Sequence, residues 1–316
     1  MLNKTTDRLL GDSRFGKFKG FIRSLNRTRF KVVQRLQKEM SKDNAPAKCI
    51  ICDGINFELV SESDRFGLRF NKCICQQCGL LQTCPMPSKE FFNSFYSNTY
   101  RELYHGQRAN HVNKLLKHQF ERGQEIIKYL GEHFDLKNVN IFEIGCSYGG
   151  VLQAFEDAGL NVAGCDLDEG AIALASERFE GVYVAELPKS KSAKKTIYIL
   201  SHVLEHIPNP ISFLKKLHNL INEDDLLYVE VPGLLHLLDG GYRGDLLNYF
   251  HVGHVAEYNK TTLENVLRLS GFKMLLCDEK AVGMFQKSNI EDVSILNAYP
   301  ETRTQLLQIE KQYKKN

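Results

Sequence analysis

The chain has 316 residues, 43% hydrophobic and 25% charged, with 41 Lys+Arg against 38 Asp+Glu. No stretch of about 18 consecutive apolar residues occurs, which excludes an ordinary membrane-spanning helix, and nothing repeats with the period of a solenoid, collagen or coiled coil. Six of the nine cysteines (Cys49, Cys52, Cys73, Cys75, Cys78 and Cys84) crowd into one short stretch, as metal ligands do and a disulfide framework does not.

Charge is concentrated at the start. Residues 1–46 carry twelve Lys/Arg against four Asp/Glu, while the remainder carries 29 basic and 34 acidic residues. Phe18, Phe21, Ile22, Leu25, Val32, Val33, Leu36 and Met40 recur at spacings of three and four, which predicts an amphipathic helical arm. Three uses of its stripe are open: lying on an anionic membrane face, docking on a partner, or packing on its own domain. The arm has no apolar leader with a small-residue cleavage site, so the expected location is cytoplasmic, at most peripheral at the inner membrane face.

Residues 47–88 read as a small metal module. Cys49-Ile50-Ile51-Cys52 and Cys75-Gln76-Gln77-Cys78 are CxxC pairs separated by 22 residues. Two residues between thiols let both reach one ion, and four thiolates suit a closed structural Zn²⁺ site. Short strands at 57–60 and 68–72 complete a zinc ribbon. Cys73 falls outside the CxxC frame and competes for a ligand position.

Residues 89–135 form an aromatic linker followed by a helix over 107–133. Tyr96 lies in that linker, where rings with polar handles suit a cleft for a polar organic ligand, or simply pack the ribbon onto the next domain. Residues 136–288 then alternate strand and helix. Strands are expected at 139–144, 161–166, 182–185, 196–200, 226–231, 271–278 and 282–287, and residues 289–316 form a helical tail. This pattern predicts an α/β fold: a doubly wound, mostly parallel seven-stranded sheet, with its ligand at the carboxyl ends of the strands. Glu205 and His206 read as the start of the helix after the fourth strand of that sheet. Gly240-Gly241-Tyr242-Arg243-Gly244 reads either as a lid with glycine hinges or as a solvated turn.

The turn after the first strand of the sheet, Gly145-Cys146-Ser147-Tyr148-Gly149-Gly150, lacks the GxGxxG pattern of dinucleotide binding. Glu143 precedes it and Asp166 ends the next strand. An acid for a cationic group and an acid for a ribose together suit an adenosine joined to a sulfonium amino acid.

Phe142-Glu143-Ile144-Gly145-Cys146-Ser147-Tyr148-Gly149-Gly150, Asp166, and Ser201-His202-Val203-Leu204-Glu205-His206-Ile207-Pro208 resemble the motifs of class I S-adenosylmethionine-dependent methyltransferases. With the cysteine pairs upstream, the chain is similar to bacterial methyltransferases of nucleotide-linked sugars and surface polysaccharides that carry an N-terminal zinc module. The resemblance implies that Glu143 and Gly145 meet the amino-acid end of S-adenosylmethionine, with Cys146 and Gly149 in the same turn. It implies Asp166 on the ribose, Leu167 against the adenine, Glu186 on its exocyclic amine, and His202 near the methionine portion. In those sugar enzymes a Glu-His pair is catalytic, whereas this chain has Gly253-His254. O- and C-methylation are both open: a sugar hydroxyl needs a base to remove its proton, and a carbon beside a carbonyl needs one even more. His254, then His251, are the expected bases, with Tyr96 a third catalytic candidate. A sugar or nucleotide sugar is the expected substrate. An RNA methyltransferase whose ribbon and arm grip phosphates, and a non-catalytic zinc-stapled scaffold, are the alternatives.

Overall fold

The computed structural model describes residues 9–10, 27–40, 47–64, 67–95, 99, 110–289 and 293–315. Two sheets organise the chain. The smaller has the order β1-β2-β3-β9, built from β1 (Phe57–Ser63), β2 (Arg69–Cys75), β3 (Leu81–Thr83) and β9 (Ala256–Glu257). The larger comprises β4 (Asn140–Ile144), β5 (Asn161–Asp166), β6 (Val182–Val184), β7 (Thr196–Ser201), β8 (Leu226–Glu230), β10 (Phe272–Cys277) and β11 (Val282–Lys287). Its order is β10-β11-β8-β7-β4-β5-β6, and β11 pairs antiparallel with both neighbours while the other pairings are parallel. The expected doubly wound, mostly parallel sheet is the one observed.

Strand alternation builds two cores. Ile197 and Ile199 face the helices Asn110–His133 and Gly150–Asp157, through Ile126, Leu130, Val151 and Phe155. Tyr198 and Leu200 face the opposite side, among Phe213, Leu214 and Leu217 of helix Pro210–Leu220 and Leu263, Val266 and Leu267 of helix Lys260–Arg268. A period of two places neighbours on opposite faces, and with a core on each side β7 is buried throughout.

The small sheet is tied into the large domain at several places. Strand β9 adds to β3, with Leu81 opposite Glu257 and Gln82 opposite Ala256. From helix Tyr299–Tyr313, the Tyr299 hydroxyl donates to Glu58 at 2.7 Å, and Thr302 Oγ1 donates to the Gly79 carbonyl at 2.7 Å. Gly79 has φ +81°, and a Cβ there would lie 2.2 Å from the Ala298 backbone, so this close approach requires glycine. In helix Arg27–Met40, Val32, Val33 and Leu36 are buried in the same apolar cluster as ribbon residues Leu68 and Phe70. Gln37 Oε1 accepts from the Arg69 backbone N–H at 2.7 Å. Within this segment the stripe is therefore spent on the chain itself, with burial of a side chain such as Leu36 contributing about 1.5–3 kcal/mol. The arm's earlier apolar residues, Phe18 to Leu25, lie outside the described residues. No described helix is long and apolar enough to cross a membrane.

Candidate active site and metal centre

The crevice at the carboxyl ends of β4 and β5 is shaped by backbone geometry. Gly145 has φ +81°, and a Cβ there would sit 2.5 Å from Val203 Cγ2, so the turn passes against β7's exit only as glycine. Gly149, at φ +80°, caps the helix that begins at Gly150. Asp166 Oδ2 accepts from the Ser147 N–H at 2.9 Å and Oδ1 from the Asp168 N–H at 2.7 Å. These two bonds orient the carboxylate at the strand end; burial pushes its pKa up, and the two N–H groups act against that.

Glu143 is only 3% exposed, and its Oε2 has no hydrogen-bond partner. Burial, then the Asp166 charge, push its pKa up to about 8, against the pull of Arg122. Leu167, immediately after Asp166, is 68% exposed, and Val184, opposite Asp166 on β6, is also exposed. A buried acid lacking a partner and an apolar shelf beside a second acid fit the ammonium, ribose and base of S-adenosylmethionine. Glu186 is half-exposed and pairs with Lys216 at 3.5 Å. The Cys146 side chain is buried among Leu152, Ile172, Phe179 and Val182, so only its backbone is left to face a ligand.

A second group forms where β7 ends. The sequence placed Glu205 and His206 at the start of the next helix; they lie instead in a separate single turn, Leu204–His206, ahead of the helix that begins at Pro210. Asn209 caps that helix by accepting from the Ser212 N–H, with Pro210 at its first position, and this local chemistry delays its start. Glu205 is thereby turned inward, 1% exposed. Its Oε1 lies 3.4 Å from His202 Nδ1, 3.7 Å from His206 Nε2 and 4.0 Å from His254 Nε2. Burial raises the Glu205 pKa, but His206 and His202 bring it below the usual carboxylate value. The His251 and His254 rings are 3.7 Å apart. His254 is 4% exposed, and burial together with the neighbouring imidazoles pushes its pKa well down. His202 keeps 29% of its side chain exposed, with Nε2 3.9 Å from Glu230. Tyr242, in the glycine-flanked segment, lays its ring edge-on to Tyr249 and His254. Tyr96 lies outside the described residues.

The ribbon holds the back of this pocket. Lys72 of β2 is fully buried, pairs with Glu257 of β9 at 2.7 Å, and donates to the His254 carbonyl. Burial pushes Lys72 down and Glu257 up to about 7, each opposed by its partner's charge. Neither residue stood out in the sequence, because the pair joins positions 185 apart.

At the other end of the ribbon, the Sγ atoms of Cys49, Cys52, Cys75 and Cys78 lie within 4.8 Å of one another, with Cys49–Cys78 at 3.5 Å and Cys52–Cys75 at 3.4 Å. Four thiols converging in this way match the donor set of a closed tetrahedral zinc site. Cys73 is not among them; its thiol is hydrogen-bonded with Cys84, which together with burial pushes its pKa well up.

The sheet order, the glycine turn and the acid at the second strand end define a Rossmann-like α/β protein of the methyltransferase class. Residues 111–276 match the family described as "Methyltransferase domain", and the chain belongs to that family. Its curated relatives include the ubiquinone biosynthesis O-methyltransferases of Pseudomonas aeruginosa, 22% identical over 104 residues (30% of this chain, 45% of that protein), and of Glaesserella parasuis, 28% identical over 102 residues (28% and 43%). The chain thus spans less than half the length of these relatives. Similar solved structures include the Burkholderia thailandensis 1,6-didemethyltoxoflavin-N1-methyltransferase with S-adenosylhomocysteine, at 15% identity and TM-score 0.47, covering 66% of this chain and 95% of that one. Another is the mitomycin 7-O-methyltransferase, at 18% identity and TM-score 0.44, covering 62% and 60%.

Proposed function

We propose that the protein transfers a methyl group from S-adenosylmethionine to a hydroxyl of a sugar carried as a nucleotide sugar or surface-polysaccharide precursor, with Zn²⁺ held by Cys49, Cys52, Cys75 and Cys78 as a structural staple. The observation that carries the cofactor reading is the buried Glu143 oxygen without a hydrogen-bond partner, beside the exposed Leu167 and the oriented Asp166.

The cofactor, when bound, supplies an electrophilic methyl group on a sulfonium, an excellent leaving group. Glu143 takes its ammonium and Asp166 its ribose hydroxyls, and Leu167 and Val184 cover its base. Positioning then supplies much of the acceleration. The acceptor is placed against the partly exposed His202, His206 and Glu230, with the buried Glu205, His251 and His254 behind them, a polar wall that suits a polyol better than a flat apolar ring. Within it the base is assigned to His202, in place of the His254 and His251 expected from the sequence. Both of those are buried, whereas His202 keeps 29% of its side chain exposed. Glu205 behind it orients the imidazole and offsets the charge that develops as it accepts the hydroxyl proton.

A labelled-methyl assay over a panel of nucleotide sugars, with bulk RNA alongside, tests the reading. Label is expected in a nucleotide sugar; label in RNA alone would overturn the sugar acceptor.

A further inference from the structure

The pocket around Glu205 has an electrostatic imbalance that the base assignment does not resolve. His206 Nδ1 lies 2.7 Å from the Gly253 carbonyl oxygen. A carbonyl only accepts, so Nδ1 carries the proton, and Nε2 of the neutral ring is an acceptor. That acceptor faces Glu205 Oε1 at 3.7 Å, and His254 Nε2 approaches the same oxygen at 4.0 Å. Glu205 is 1% exposed, no close hydrogen bond reaches either of its oxygens, and His202 Nδ1, 3.4 Å from Oε1, is the nearest imidazole nitrogen that can donate to it. A buried carboxylate facing imidazole lone pairs is unfavourable unless a cation stands between them.

We propose that Glu205, His206 and His254 form a second metal site, distinct from the cysteine site, that takes a divalent first-row transition-metal ion. One ligand atom from each of the three lies within 4.8 Å of the others, so a small inward movement brings all three onto one ion. Two imidazoles and one carboxylate favour Mn²⁺, Fe²⁺, Co²⁺ or Zn²⁺ over Mg²⁺ or Ca²⁺, and three protein ligands leave positions open. The His206–Gly253 bond is the outer contact that fixes ring orientation and tautomer in a ligating histidine. The consequence for chemistry rests on the methyl-transfer reading. An acceptor hydroxyl on the ion becomes more acidic, its proton passes to His202, its electron pair stays on the oxygen, and a neighbouring hydroxyl of the same sugar occupies a second open position.

The test uses the full chain with its cysteine site loaded with zinc, titrated with Co²⁺ and followed by calorimetry and visible absorption. One Co²⁺ per chain is expected, without the thiolate charge-transfer band that displacement of zinc would produce, and this uptake is expected to be lost in Glu205→Gln and in His206→Asn. S-adenosylmethionine binding is measured on the same samples; its retention shows that the variants fold, and it reports on the cofactor reading separately. No uptake by the unmodified chain, or equal uptake by the chain and both variants, would show that protonated histidines balance Glu205 without a metal and would overturn the proposal.

Discussion

The cofactor crevice and the histidine pocket lie at the same end of the sheet, yet they are built in opposite ways. The crevice comes from two adjacent strands and their turns: Glu143, Gly145, Asp166 and Leu167 fall within 25 residues and are oriented by local backbone bonds such as Ser147 N–H to Asp166. The pocket comes from three remote segments: the turn after β7, the loop before β9, and β2 of the ribbon. A site made by local turns survives changes elsewhere in the chain. One assembled across segments depends on every tie that holds them in register.

That contrast is sharpest at the ribbon. Cys75→Ser is expected to remove the zinc and with it the order of β1 to β3, since structural zinc contributes on the order of 10–16 kcal/mol in small zinc modules. Elemental analysis should fall from about one zinc per chain to none, and a variant retaining its zinc would contradict the four-thiolate assignment.

A second break separates the halves by stability. Lys72→Met leaves Glu257 buried without its partner and frees the His254 carbonyl, at an expected cost of about 3–5 kcal/mol in denaturant unfolding. Adding Glu257→Gln should recover part of this loss. A double variant as unstable as the single one would mean that Lys72 acts through packing rather than charge.

Within the pocket, His202→Ala should lower turnover by about 10²–10⁴-fold, the usual worth of a general base, with cofactor affinity nearly unchanged. Full turnover would return the base role to His254 or His251.

A further effect lies in the crevice and concerns pH. Glu143 has its folded pKa raised from 4.5 to about 8. An acid raised in this way contributes stability that is fully present below 4.5 and is lost as pH rises through about 8. Glu143→Gln removes this dependence, so the variant should gain on the unmodified chain as pH rises across that window, while binding S-adenosylmethionine more weakly above it. Parallel stability profiles for the two proteins would contradict the buried-acid reading.

The same contrast explains what the sequence disclosed. The seven strands of the sheet, the glycine turn and the CxxC pairs were legible because each is specified within a few residues by periodicity, positive φ or ligand spacing. Strand β11 was anticipated at 282–287, where it lies. Strand β9 was missed: two residues show no period, and only pairing with β3 makes them a strand. Glu205 was read as a helix start because the turn that buries it is set by the Asn209 cap further along. His254 was read as a loop residue, but its surroundings include Lys72 and Glu257, which no local pattern connects to it.

Whether the crevice holds a sulfonium nucleoside at all is decided by calorimetric titration of the full chain and of Asp166→Ala with S-adenosylmethionine. One site per chain is expected in the unmodified protein. In the variant, shown to be folded by its unchanged zinc content and circular dichroism, binding should weaken by at least about tenfold, equivalent to about 1.4 kcal/mol. Equal affinity in both proteins, or no binding by either, would contradict the cofactor assignment.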